Sequence, residues 1–369
     1  MNVQEFTARE QIIMAITLDD MSARYATDEM KKAGEKVPEF IVSADGHVDE
    51  PPGLFDELPK EIRDNIKRPK IMLDSRPGGG VDPMIRVQDM QLDGLAAEVL
   101  YPTFTLGLFS QEQREQEAAF RVYNDWIADF CKHSPKKLFA VPCLPAYDID
   151  VAIKEMHRCA DLGLLGGMIW QVPHADLPLT SDHYEKLWAA CAELGQPIHF
   201  HILTGFNYFR FKREGLEKVR GSVNTKTAEI VTTAYDLVWS GVFERHPKLR
   251  AVIVEGEIGW APFIIQQWDY YYRRNTKPGH PNTDFAINRL PSEIFNEHIW
   301  LTFMDDQAGG QALKYWGDQR CMWSSDYPHP NMTWPNSRAF IARQIGDLDP
   351  EKQKRVLSQN VIDLYGLKL

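Results

Sequence analysis

Residues 197–203 read PIHFHIL. A proline precedes the run and Gly205 follows it, and hydrophobicity is nearly continuous rather than alternating. That pattern suits a parallel strand buried on both faces. Working outward, runs of the same kind recur at Ile41–Val48, Leu95–Pro102, Leu138–Leu144, Leu165–Val172, Leu249–Glu257, Ile299–Met304 and Arg320–Asp326. Helical stripes fill the gaps. Phe120, Tyr123, Ile127 and Phe130 mark one; Tyr184, Leu187, Trp188, Cys191 and Leu194 mark another. Asp182 reads as the N-cap of the second, with Glu185 three residues on, and Gly195 before Pro197 reads as its stop. Eight strands alternating with helices predict an α/β protein, a closed (β/α)8 TIM barrel. An open doubly wound sheet is the competitor. Gly78-Gly79-Gly80, however, lacks the GxGxxG spacing and lies away from any strand-to-helix junction.

The barrel is expected over residues 40–369. Residues 1–39 are polar with scattered apolar positions and read as a helical extension that docks on the body or on a partner subunit. Two loop insertions are expected, Glu50–Val87 after the first strand and Gly205–Arg220 after the fifth. The chain has 369 residues, 41 basic and 52 acidic, for a net charge of −11. Such a surface repels phosphate backbones and anionic membranes, which argues against nucleic-acid binding. No window carries the roughly 18 consecutive apolar residues of a membrane span. The five cysteines are widely spaced without a CxxC pair, so they read as thiols of a reducing compartment, and a cytoplasmic location is expected.

Chemistry in a barrel of this kind gathers at the C-terminal strand ends. Asp45 and His47 are two apart on the first run and share a face, as half of a metal site would; the alternative is a capped turn. His199 and His201 repeat the arrangement on the fifth run. Glu255 and Glu257 place two carboxylates at the end of the sixth, where burial is expensive unless they are paired or bound to metal. An N-cap role for one of them is the plainer reading. The eighth run ends in Asp326, a ligand or general base, followed by Pro328 and His329.

The stretches SADGHVDEP, PIHFHILTG, FERHPKLRAVIVEGEIGWAPF and MWSSDYPHPNMTWPNS, together with RVQDMQLDGLAAEVLYPT, resemble the amidohydrolase-related branch of the amidohydrolase superfamily. That branch includes the aminocarboxymuconate-semialdehyde and γ-resorcylate decarboxylases. The resemblance runs from about residue 40 to the end and implies a (β/α)8 barrel with one divalent metal, sometimes two. It places the first-strand ligand pair on Asp45 and His47, the fifth-strand ligand histidine on His201 with His199 two earlier, the ligand after the sixth strand on Glu257, and the eighth-strand aspartate on Asp326. Two positions usually histidine are carboxylates here. The site is therefore harder, which favours manganese, magnesium or iron over a simple zinc hydrolase.

The expected function is metal-dependent chemistry on a small polar or aromatic substrate, either hydrolysis by metal-activated water or nonoxidative decarboxylation. The metal would be zinc, manganese or iron, as one or two ions. Asp326 would move the proton, a protonated His199 or His329 would stabilise developing charge, and Arg210 or Arg213 would clamp a substrate carboxylate. Trp170 and Tyr327 suggest contact with an aromatic substrate. Two alternatives remain open at this point: a dinuclear iron or iron/manganese oxygenase, and a degenerate barrel serving as a scaffold subunit. Relatives of this kind imply a homo- or hetero-oligomer.

Overall fold

A computed structural model of the protein describes residues 26–66, 78–206, 228–277 and 284–369. All eight predicted runs contain strands: β1 (Val42–Val48), β2 (Ala97–Pro102), β3 (Leu138–Ala140), β4 (Gly167–Ile169), β5 (Ile198–His201), β6 (Ala251–Val254), β7 (Ile299–Phe303) and β8 (Cys321–Trp323). Every pairing is parallel and follows chain order, as β1-β2-β3 and β4-β5-β6-β7-β8. An isolated parallel bridge from Cys143 to Met168 joins the two groups. The first and last strands meet through Asp326 N–H to Asp45 C=O (3.0 Å) and His47 N–H to Tyr327 C=O (2.6 Å). The result is a closed (β/α)8 barrel.

The strands are buried along almost their whole length, because helices cover the outside and side chains fill the interior. Those helices begin and end where local chemistry dictates. Asp82 caps Pro83–Asp93 by accepting from Met84 and Ile85 N–H, proline stands in the first turn, and Gly94 ends it at φ 78°. The insertion after β1 therefore gives way to helix at Pro83, four residues before the expected boundary at Val87. Gly195 ends Glu185–Leu194 at φ 65°, as expected. Asp182 does not cap that helix; it opens a 3-10 turn, Asp182–Tyr184, that tightens the entry.

Of the N-terminal extension, the described part includes the helix Asp28–Gly34. Gly34 lies against the backbone of Arg338, whose guanidinium donates to Val37 and Pro38 C=O, so this part is tied to the barrel's last helical layer. Most of the insertion after β5, with Arg210 and Arg213, lies outside the described residues. Among the described residues no helix is long and apolar enough to cross a membrane. The five cysteines are free thiols, four of them buried.

Candidate metal centre

β1, β5, β6 and β8 each send a polar side chain to one point at the barrel mouth. Asp45, His47, His201 and Glu255 offer ligand atoms that lie within 4.8 Å of one another, and so do His47, Glu255, Asp326 and His329. His47 Nε2 is 3.4 Å from Asp45 Oδ1 and 3.4 Å from Asp326 Oδ1. His201 Nε2 is 3.7 Å from Asp45 Oδ1 and 4.0 Å from Glu255 Oε2. His329 Nδ1 is 2.8 Å from Asp326 Oδ1, while its Nε2 is 3.1 Å from the Thr103 hydroxyl. The His329 ring stacks on His47 at 3.7 Å between centroids.

The backbone decides which imidazole nitrogen faces inward. His47 Nδ1 is 2.8 Å from Pro102 C=O, and His201 Nδ1 is 2.8 Å from Ile202 C=O. A carbonyl only accepts, so each Nδ1 carries the proton and each Nε2 presents a lone pair. Those two Nε2 atoms face each other at 3.2 Å. Two such lone pairs cannot bond each other, so the contact is satisfied either by a proton on one Nε2 or by a cation beside both. Both oxygens of Asp45 are buried beside this pair, with Oδ1 facing both inward nitrogens. Burial pushes the His201 imidazole down, yet the carboxylates of Asp45 and then Glu255 outweigh it and hold the group above its ordinary value. Two carboxylates and two imidazoles, dehydrated and convergent, are suited to hold a divalent cation.

Two backbone features aim these groups. The β1–β2 register shifts between Ser43 and Gly46, a bulge at the position of Asp45. At the end of β6, Glu255 and Glu257 adopt φ of 59° and 54°, and Asp326 after β8 adopts 54°; this left-handed region is uncommon for residues other than glycine.

That geometry separates the two glutamates. Strand alternation predicts one shared face, but the left-handed turn at Glu255 ends the strand and brings its carboxylate to the cluster. Glu257 instead accepts the Met304 N–H at 3.1 Å, outside the group. His199 is likewise placed elsewhere. It shares a face with His201 but lies two residues deeper, roughly 6.6 Å along the strand. Its Nδ1 is 2.8 Å from the Tyr101 hydroxyl, its ring stacks on Tyr365, and burial pushes its pKa down to about 3. A neutral imidazole in the layer beneath the cation group neither ligates there nor stabilises an anion as imidazolium.

Trp170 is buried and donates to the Tyr184 hydroxyl at 2.8 Å, while Tyr147, His174 and Phe206 gather around it at the ends of β4 and β5. Tyr327 points away from the mouth: its hydroxyl donates to Asp89, and Arg86 lies over its ring at 4.4 Å. It braces the β1–β8 seam instead of facing a substrate. Sequence reading missed Thr103, Tyr101 and the buried pair Arg86–Glu98. The signal for the last was present, since Glu98 is a charge inside an apolar strand and requires a buried partner.

Residues 45–367 match the sequence profile of the amidohydrolase family. Over 300 residues the chain is 27% identical to a γ-resorcylate decarboxylase of Rhodococcus jostii, covering 76% of this chain and 89% of that protein. Over 265 residues it is 26% identical to a γ-resorcylate decarboxylase of a Rhizobium species, covering 69% and 79%. In structure it is similar to a 5-carboxyvanillate decarboxylase of Novosphingobium aromaticivorans bound to manganese and 3-methoxy-4-hydroxy-5-nitrobenzoic acid, with a TM-score of 0.71 at 17% identity over 90% of this chain and 99% of the other. It is also similar to a dihydroxybenzoic acid decarboxylase of Polaromonas with manganese and 2-nitroresorcinol, with a TM-score of 0.64 at 19% identity over 89% and 97%. These structural likenesses establish the barrel, and the match over residues 45–367 shows that the chain belongs to the amidohydrolase family of enzymes.

Proposed function

We propose that the protein is a metal-dependent, nonoxidative decarboxylase of small hydroxylated aromatic acids. The observation that carries this reading is the Asp326–His329 pair, 2.8 Å apart, set beside a buried group of two imidazoles and two carboxylates whose ligand atoms converge within 4.8 Å. The decarboxylases among its relatives, and the manganese in two structures of the same fold, support it. Asp45, His47, His201 and Glu255 would hold the metal, with Asp326 at its edge. Once bound, a divalent cation there polarises the carboxylate and neighbouring oxygen of such an acid.

The protein's own residues have the remaining work. Protonated Asp326 gives its proton to the ring carbon that bears the carboxylate. The carbon–carbon bond to that carboxylate breaks, its electron pair restores the ring, and carbon dioxide leaves. His329 holds Asp326 by its Nδ1 and, with 15% of its side chain exposed to solvent, returns a proton to it. The aromatic residues Tyr147, His174 and Phe206 supply a flat apolar wall on the β4–β5 side. The two donor groupings share His47, whose one inward nitrogen serves a single ion, and this favours one ion over two separate sites.

The test is carbon dioxide release from 2,6-dihydroxybenzoate and from 5-carboxyvanillate by protein reconstituted with Mn2+. Release is expected from at least one, and Asp326→Asn is expected to lower kcat by about 100- to 10,000-fold. Protein that retains Mn2+ yet releases no carbon dioxide from any ortho-hydroxybenzoate overturns the reading.

A further inference from the structure

At the β1–β8 seam, Arg86 is fully buried and Glu98 nearly so, with Arg86 Nε donating to Glu98 Oε2 at 2.6 Å. An ion pair in such a place carries a large desolvation cost, and replacing it with apolar side chains is often neutral or stabilising. Its contacts show a use beyond stability. On one side Arg86 Nη1 donates to His47 C=O at 2.6 Å. On the other, Nη2 donates to Tyr327 C=O at 3.4 Å. Glu98 Oε1 accepts the Ser325 hydroxyl at 3.1 Å, and Ser325 N–H donates to the Ser43 hydroxyl at 3.0 Å. The pair therefore grips the main chain of β1 at His47 and both residues that flank Asp326 after β8.

A second observation points the same way. Gly46 stands between Asp45 and His47, and a Cβ there would lie 2.6 Å from Arg86 Nη2 and 3.3 Å from Glu98 Oε1. The missing side chain leaves the space the guanidinium fills. Gly79 makes room for the arginine's backbone and its neighbours, since a Cβ there would meet the Tyr327 hydroxyl at 2.6 Å, Asp89 Oδ2 at 2.7 Å and Arg86 Cα at 2.8 Å. Two glycines from different segments thus accommodate one arginine at the seam.

We infer that the Arg86–Glu98 pair is a positioning device that sets the separation of His47 from Asp326, and with it cation affinity and the aim of the proton donor. This rests on the assignment of Asp45, His47, His201 and Glu255 as a cation site. A planar guanidinium spans both strands at once; an ammonium in its place pairs with Glu98 but cannot fork to both carbonyls.

The experiment titrates metal-free protein with Mn2+, followed by electron paramagnetic resonance, alongside kcat and KM. Three variants are compared: Arg86→Lys, the apolar double variant Arg86→Met with Glu98→Leu, and Ser325→Ala. The double variant removes both charges together, so its thermal midpoint is expected near that of the wild type. Each variant is expected to bind Mn2+ about 10- to 100-fold more weakly, as loss of groups that orient ligands does. At saturating metal, kcat is expected to fall more than KM rises. A folded double variant or Ser325→Ala that binds Mn2+ within about twofold of wild type, with kcat retained, overturns the inference. Failure of Arg86→Lys to fold leaves the decision to those two. Wild-type protein that binds Mn2+ but releases no carbon dioxide would sink the proposed reaction, while the titration would still decide the role of the pair.

Discussion

Glu255 and Glu257 are two positions apart and have different occupations. One carboxylate reaches the imidazoles; the other accepts a backbone N–H from Met304. Glu255→Gln removes a charged oxygen donor and is expected to weaken Mn2+ binding by at least about tenfold. Glu257→Gln, which can still accept from Met304, is expected to bind Mn2+ as the wild type does. Equal losses from both substitutions in a Mn2+ titration would show that the left-handed turn does not separate them. The side chains inside a strand were legible: Asp45, His47 and His201 share a face by period-two spacing and reach one point, even with the bulge at Asp45. Glu255 was not decidable, because a residue with φ of 59° breaks the alternation on which the reading depends. His199 failed for another reason. Spacing tells which face a side chain takes, not how deep in the barrel it lies.

The strands were legible because both of their faces are covered, leaving runs with few polar interruptions. The runs overestimate the paired length. β3 stops at Ala140, before Pro142 interrupts the ladder, and β6 stops at Val254, before the turn at Glu255. The helices depend on short-range chemistry that can be tested directly. Asp148 caps Ile149–Asp161 by accepting from Asp150 and Val151 N–H at 3.0 and 3.2 Å. Asp148→Ala is expected to cost about 1 kcal/mol in urea unfolding, and Asp148→Ser to restore most of it. An alanine variant as stable as the wild type would mean that water satisfies those N–H groups equally well. Loop chemistry was the least legible. Thr103 follows β2 and meets His329 from 226 residues away, a proximity that only the closed ring creates.

Barrel closure joins the first βα unit to the last, and the joint is polar. Asp93, at the end of the first unit's helix, accepts both the N–H and the hydroxyl of Ser337. Burial raises its carboxyl most; the Ser337 bonds oppose this, and Glu98 and Asp89 add to it, leaving a pKa of about 7 against an ordinary 3.8. The folded state thus binds the proton more tightly than the unfolded chain. The stability tied to that proton is complete below the unfolded value and is lost as pH rises through about 7. Asp93→Asn, which cannot ionise, is expected to flatten that decline between about pH 4 and pH 7 in urea denaturation. An unchanged slope would locate the pH dependence elsewhere.

The same closure has a bearing on biosynthesis. Asp326, the serine that steadies it and the strand that presents it all come from residues 321–326, long after Asp45 and His47 on β1 have emerged. A ribosome stalled before residue 321 would leave the opening strands made but without their closing neighbour. Turnover in a cell extract would therefore count only translation events that run past His329.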